Sequence, residues 1–378
     1  MKRVLLFMTI FSSFNIWAQD IQDFNQLSKN EKIQLVWKSF LDKELDPLYF
    51  YSIQDSISRD LSLIQKIRIQ EIDNSFSSNK NISKINITKT ITKNEALILA
   101  SEFQFINNQL GLISDENKKL IDKQKAIIEK VNHFTPKTKE EIDDLFNKTP
   151  DYANYNNGEY KDTLKLFLFC RHDRHYPCLF VLKDIFDNPV RLDDGSLWSL
   201  PGLAHSRREL PYNVTNGYTP SGVHRMDSVM PEANRQQAFG KYRRVILDWV
   251  PNSSEEAFSK EFLPLSAQDK SWWKEASIAR DIGRKWLRIH GTGNRNTDPT
   301  SKFYPHFATS GCISTREMKY DEVDYNDQRI ILDTLMSAMQ LAPIYTNEVK
   351  IKGILYVIEL DDQKKAVKLE DLKEFGIE

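Results

Sequence analysis

The chain has 378 residues, with 52 Lys and Arg against 53 Asp and Glu, and a formal net charge of -1 at pH 7. That near balance, with no long basic run, argues against nucleic acid as a partner. Hydrophobic residues at 40% and charged residues at 28% are ordinary for a globular chain, and the length suffices for two domains.

Residues 1–18 read as a signal peptide. Lys2 and Arg3 open it, 4–17 is mostly apolar, and Ala18 is small enough to precede a cut. Ser and Asn interrupt the run, which is too short to span a bilayer. The expected address is outside the cytoplasm, in a periplasm or cell envelope, with no membrane span once the leader is removed.

Residues 19–150 read as a helical accessory region of unknown task. Apolar residues recur at helical spacing over 31–40, 95–107 and 120–131, with a polar loop over 75–94. Lys118, Lys119, Lys123 and Lys125 read as a solvated helix face. A stretch over 149–160, rich in Asn and Tyr, reads as a linker. Beyond it the apolar runs shorten and become strand-like, over 164–169, 179–182, 245–250, 285–289 and 349–358. Helices are expected over 271–282, with Trp272 and Trp273 as packing anchors or a groove wall, and over 325–341. Residues 361–378 read as a charged tail. The class is α+β: a mostly β domain over 160–360, preceded by the helical region.

Three cysteines occur. Cys170 and Cys178 flank a turn between two apolar runs, so they could face each other across a hairpin and pair. The rival reading takes Cys170, His172, His175 and Cys178 as zinc ligands. All four crowd one turn at a spacing that matches no common finger, which favours the pair or two plain thiols. Cys312 is then the odd thiol.

Residues 286–316 run WLRIHGTGNRNTDPTSKFYPHFATSGCISTR. An apolar run, 286–289, reads as a strand end and delivers His290. A loop of Gly, Asn, Thr, Ser and Pro follows, and Gly311 precedes Cys312. A cysteine attacks as its thiolate, and an imidazole beside it can take the proton. Gly311 allows close backbone approach, so the amides around Cys312 could meet a developing oxyanion. The plainer reading makes Cys312 a small buried hydrophobe and His290 a polar residue with a partner.

A resemblance adds weight to the chemical reading. Ile289-His290-Gly291-Thr292, then Thr309-Ser310-Gly311-Cys312-Ile313 with Arg316 after, resembles the catalytic signature of the L,D-transpeptidases (YkuD-type). Two departures stand out. Ser310 occupies the place of the family's second histidine, and Arg316 lies four residues after the cysteine rather than two. Thr219-Pro220-Ser221-Gly222 resembles the family's Thr-Pro-x-Gly step into a strand that lines the cleft, with Tyr218 and His224 as possible borders of the groove. His306, in the catalytic loop, reads as a solvated histidine.

The resemblance implies an L,D-transpeptidase-like domain that acts on peptidoglycan stem peptides in cell-wall synthesis and cell shape. Cys312 is the nucleophile, His290 the base and acid, and Gly311 with the Cys312 amide the oxyanion site. Gly291, Thr292, Thr309 and Ser310 would line the substrate, and Arg316 or Arg295 would meet a stem carboxylate. Thr309 or a backbone carbonyl would orient His290. Acyl transfer through a thiol needs no metal or organic cofactor. The thioester would be resolved by an amine of a second stem, giving a 3-3 cross-link with release of D-alanine. Resolution by water would instead make a carboxypeptidase or hydrolase, and a binding protein that kept the fold without the chemistry is the alternative from another class.

Overall fold

The computed structural model describes residues 24, 26–77, 84–149, 163–250 and 260–378. The expected signal peptide and nearly all of the 149–160 linker lie outside them. The chain divides into two compact units, one of residues 1–95 and 102–118, the other of 96–101 and 119–378.

The first unit is helical, with α1 Lys29–Leu41, α2 Pro47–Ile57, α3 Leu63–Phe76 and part of α4 Lys93–Ile106. Ser28-Glu31, Ser62-Gln65 and Thr92-Glu95 close reciprocal capping boxes at the starts of α1, α3 and α4, satisfying donors that a helix start leaves open. Arg68 makes a two-pronged ion pair with Glu102 at 2.9 and 2.6 Å, and the Trp37 indole donates to the same carboxylate at 3.1 Å. The expected 75–94 loop is not wholly irregular in its described part. It contains strand β1 Ile85–Ile87, which pairs in parallel with β2 Leu110–Ile113.

The second unit opens with α5 Asp115–Asn132, which begins in the first, and α6 Lys139–Asn147. Lys118, Lys119 and Lys123 are exposed, as a solvated face requires. The sheet then takes β3 Leu164–Cys170, β4 Cys178–Lys183, β5 Ser199–Gly202, β6 Gly222–Val229, β7 Val245–Trp249, β8 Arg288–His290 and β9 Ile313–Ser314, with α7 Gln236–Phe239 and α8 Lys274–Asp281 between. After it come the hairpin strands β10 Glu317–Tyr320 and β11 Val323–Asn326, then α9 Asp327–Ala338, β12 Gly353–Glu359 and α10 Leu369–Glu374. The eight-stranded order is β5-β4-β3-β12-β6-β7-β8-β9. Leu203, one residue past β5, exchanges two 2.9 Å backbone hydrogen bonds with Ser314 of β9, so the sheet nearly closes on itself. The unit is α+β.

Strands β3, β4 and β12 are buried on both faces, which is why they read as mainly apolar runs rather than as alternating ones. Leu166 and Leu168 enter one core with Leu287, Ile289, Ile313 and the α9 residues Ile331 and Leu335. Phe167 and Phe169 enter the other with Ile142, Phe146, Trp273, Leu372 and Ile377. Trp273 is thus a packing anchor. Cys170 and Cys178 form a disulfide across the β3–β4 turn, so the two sulfurs bond each other rather than a metal.

The charged tail is not an appendage. Val367, Leu372 and Ile377 are buried, and Arg171, with no exposed surface, binds Asp361 at 2.6 Å and Asp371 at 2.8 Å. Charge alone hid this, because the carboxylates answer a buried cation. Replacing Arg171 with Ala takes the buried cation from Asp361 and leaves Asp371 to Lys365 alone, and is expected to cost about 3–5 kcal/mol. A urea midpoint unchanged from wild type would show that the tail only rests on the sheet.

Candidate active site

The parallel β8–β9 pairing sets the site. Ile289 pairs with Ile313 and His290 with Ser314, which places Arg288 beside Cys312 one step earlier. Leu287, Ile289 and Ile313 point into the core. Strand alternation therefore turns Arg288 and His290 together onto the opposite face, and Cys312 stands immediately before β9, with its Sγ at the Trp286 carbonyl that leads into β8.

His290 is buried at 2% exposure. Its Nδ1 contacts the carbonyl of Gly291, the next residue. A carbonyl only accepts, so Nδ1 carries the proton and Nε2 is left as the basic nitrogen. Of the two expected orienters the backbone carbonyl is the one present. The Thr309 hydroxyl instead donates to the Cys312 carbonyl at 2.6 Å. Glu317 packs where side chains at Gly240 and Gly291 would collide with it. It accepts from the Lys241 amide at 2.8 Å. Burial raises its pKa, and His290 is among the groups that draw it back down.

Cys312 lies outside the disulfide and is 9% exposed. Its Sγ donates to the Trp286 carbonyl at 3.7 Å. Trp286 has a φ of 64°, a left-handed conformation rare for a bulky residue, and is followed by the short strand that bears Arg288 and His290. Gly311 has a φ of 101°. A Cβ there would lie 2.5 Å from both Arg284 Nη2 and the Gly217 carbonyl, so only glycine fits. The Gly311 carbonyl accepts from Thr219 at 3.0 Å, which ties the Thr-Pro-x-Gly step to the cysteine loop.

Three arginines absent from the sequence reading surround this thiol. Arg284 is buried and donates to the carbonyls of Tyr212, Tyr218 and Gly217 at 2.6, 3.0 and 2.7 Å. Burial lowers its pKa to about 10, and Cys312 is the first group that opposes the shift. Arg244 is lowered to about 10 by burial, Arg288 and Arg235, and again Cys312 opposes the shift. Coupling is mutual, so both charges favour the thiolate. Arg288 donates to the Trp286 carbonyl at 3.0 Å.

The other expected site residues divide. Arg316 is committed to Asp327 at 2.6 Å and lies over the Tyr325 ring. Arg295 donates to the Lys319 carbonyl at 2.8 Å and covers Tyr320. Thr292 accepts from the Asn294 amide at 3.0 Å, and Ser310 is half-buried beside Gly311. His224 borders no groove: it is fully buried and bonds the Pro220 carbonyl at 2.9 Å. His306 is not solvated either but 2% exposed. Comparison with protein-family models, with curated proteins and with solved structures found no match.

The buried histidines fix an acid response. Burial, then the nearby Arg316 charge, pushes the His306 pKa down to about 3. The unfolded chain takes up that proton near pH 6.5. Stability present above pH 6.5 is therefore lost as pH falls toward 3, at up to about 1.4 kcal/mol per pH unit for this group. His306→Gln is expected to make stability fall less steeply between pH 6 and pH 4 in urea titrations. An identical slope would show that His306 is protonated in the fold.

Proposed function

We propose that this protein is a cysteine acyltransferase of the L,D-transpeptidase kind, acting on peptidoglycan stem peptides in the cell envelope. The observation that carries the reading is Cys312 immediately before β9 and His290 at the end of the adjacent parallel strand β8, with His290 Nδ1 on the Gly291 carbonyl. The motif resemblance supplies the substrate class. The disulfide fits an oxidising compartment, and no helix among the described residues is long and apolar enough to cross a membrane.

His290 Nε2 takes the thiol proton. Cys312 Sγ then attacks the carbonyl that joins diaminopimelate to the terminal D-alanine, and the amides of Gly311 and Cys312 receive the oxyanion. As the C–N bond breaks, His290 returns the proton to the leaving amine and a thioester remains. An amine of a second stem attacks the thioester, His290 accepts its proton, and the thiol is regenerated. Ser310 stands where the family keeps a histidine, so His290 acts as the sole imidazole in this scheme. Two cations that favour the thiolate argue for a nucleophile over a retained but idle fold.

The test is intact-mass spectrometry of the exported form with purified tetrapeptide muropeptides. Wild type is expected to gain an acyl adduct with release of D-alanine, and Cys312→Ala to gain none. His290→Gln should slow acylation by about 10²–10⁴-fold. A folded wild type that gains no adduct would overturn the reading. The products, cross-linked or trimmed, identify whether an amine or water resolves the thioester.

A further inference from the structure

The buried arginines of this unit elsewhere have carboxylates. Arg171 has Asp361 and Asp371, Arg174 has Glu359, and Arg243 has Glu348. On the cleft face the pattern stops. Arg244 is 3% exposed, and its Nη2 and Nη1 donate to Asn234 Oδ1 at 2.7 Å and the Asn234 carbonyl at 3.5 Å. Arg288 donates Nη1 to the Trp286 carbonyl. Among the described residues neither has a carboxylate partner, and the Nε of each is buried without a hydrogen-bond acceptor.

The two guanidinium groups share one aromatic ring. Arg244 Cζ lies 4.2 Å and Arg288 Cζ 5.8 Å from the centre of Phe239. The same ring meets His290 edge-on at 4.9 Å. Two like charges gathered on one ring repel, and that repulsion contributes to holding the Arg244 pKa at about 10. Such a pair is stabilised by an anion between or before it.

The position of the pair relative to the nucleophile identifies the anion. The Trp286 carbonyl receives Cys312 Sγ at 3.7 Å and Arg288 Nη1 at 3.0 Å, so one oxygen holds both next to each other. In a peptide attacked by that sulfur, the C-terminal carboxylate of the leaving amino acid lies only three bonds from the reacting carbonyl carbon. We propose that Arg288 and Arg244, laid against Phe239, form the subsite for the free C-terminal carboxylate of the leaving residue. This rests on the acyl-transfer reading above and replaces Arg316, which is paired with Asp327, and Arg295, which is held at the Lys319 carbonyl and the Tyr320 ring rather than at the Trp286 carbonyl that also receives Cys312. The site then reads the end of a peptide: a stem that stops one residue past the attacked carbonyl fits, and an extended or amidated one does not.

Binding without chemistry tests this. Full-length Cys312→Ala protein is titrated calorimetrically with the stem tetrapeptide as the free acid and as its C-terminal carboxamide. The free acid is expected to bind about tenfold or more tightly, as a charge-assisted pair provides. Adding Arg288→Gln should remove that ratio while the carboxamide binds as before, and Arg288→Lys should restore part of it. Arg244→Gln, a second route, should lower the ratio too. Equal binding of acid and amide, no binding of either, or a ratio that survives both Gln variants would overturn the subsite. The acyl-transfer reading fails separately: it falls if wild type forms no thioester, whatever the acid-to-amide ratio, and it stands if thioester forms from both peptides alike.

Discussion

Arg284 lodges a guanidinium between the 212–218 loop and the backbone of Gly311, and the cleft is arranged around it. Three main-chain carbonyls bind the group, with no carboxylate among them. The planar fork suits them as a single ammonium could not. It also fills the space that a side chain at residue 311 would need. A buried charge satisfied only by dipoles keeps most of its field, and Cys312 is among the groups that interact with it. The interaction that shapes the cysteine loop is thus also the one that biases its thiol toward the anion.

A second constraint acts through register. The β8–β9 ladder is two residue pairs long, yet it sets which side chains share a face. A one-residue slip would send Cys312 into the core and Ile313 to the cleft. Gln328 guards against this: its side chain donates to the carbonyls of Arg243 and Ile289 and accepts from the Thr315 hydroxyl, joining three segments at once. The near closure of the sheet at Leu203 and Ser314 holds β9 from its other side.

Much of the second unit was legible because its strands are buried on both faces and carry long apolar runs, as in Leu164–Cys170 and Gly353–Glu359. The candidate pair Cys312 and His290 and the Thr-Pro-x-Gly step were singled out by local motif, and the structure brings the step to the cysteine loop through the Thr219 hydrogen bond to the Gly311 carbonyl. The arginines were not. Arg244 lies just before β7 and Arg284 just after α8, and no local pattern ties either to residue 312. Arg288 was within reach, since alternation along Leu287-Arg288-Ile289-His290 sets it on the face of His290, but the run was read as apolar. His306 was misread because loop composition says nothing of burial. The tail was misread for the converse reason: its charges are partners of a buried arginine.

The central claim is that Cys312 is an activated thiol whose proton goes to His290 in a field of buried guanidinium groups. The most direct measurement is the rate of Cys312 alkylation by iodoacetamide as a function of pH, in wild type and in His290→Ala. The account predicts reactivity that already rises below neutral pH in wild type, well under the ordinary thiol value of about 8.5, and that shifts upward without the imidazole. Reactivity that appears only above pH 8.5, with no difference between the two proteins, would contradict it.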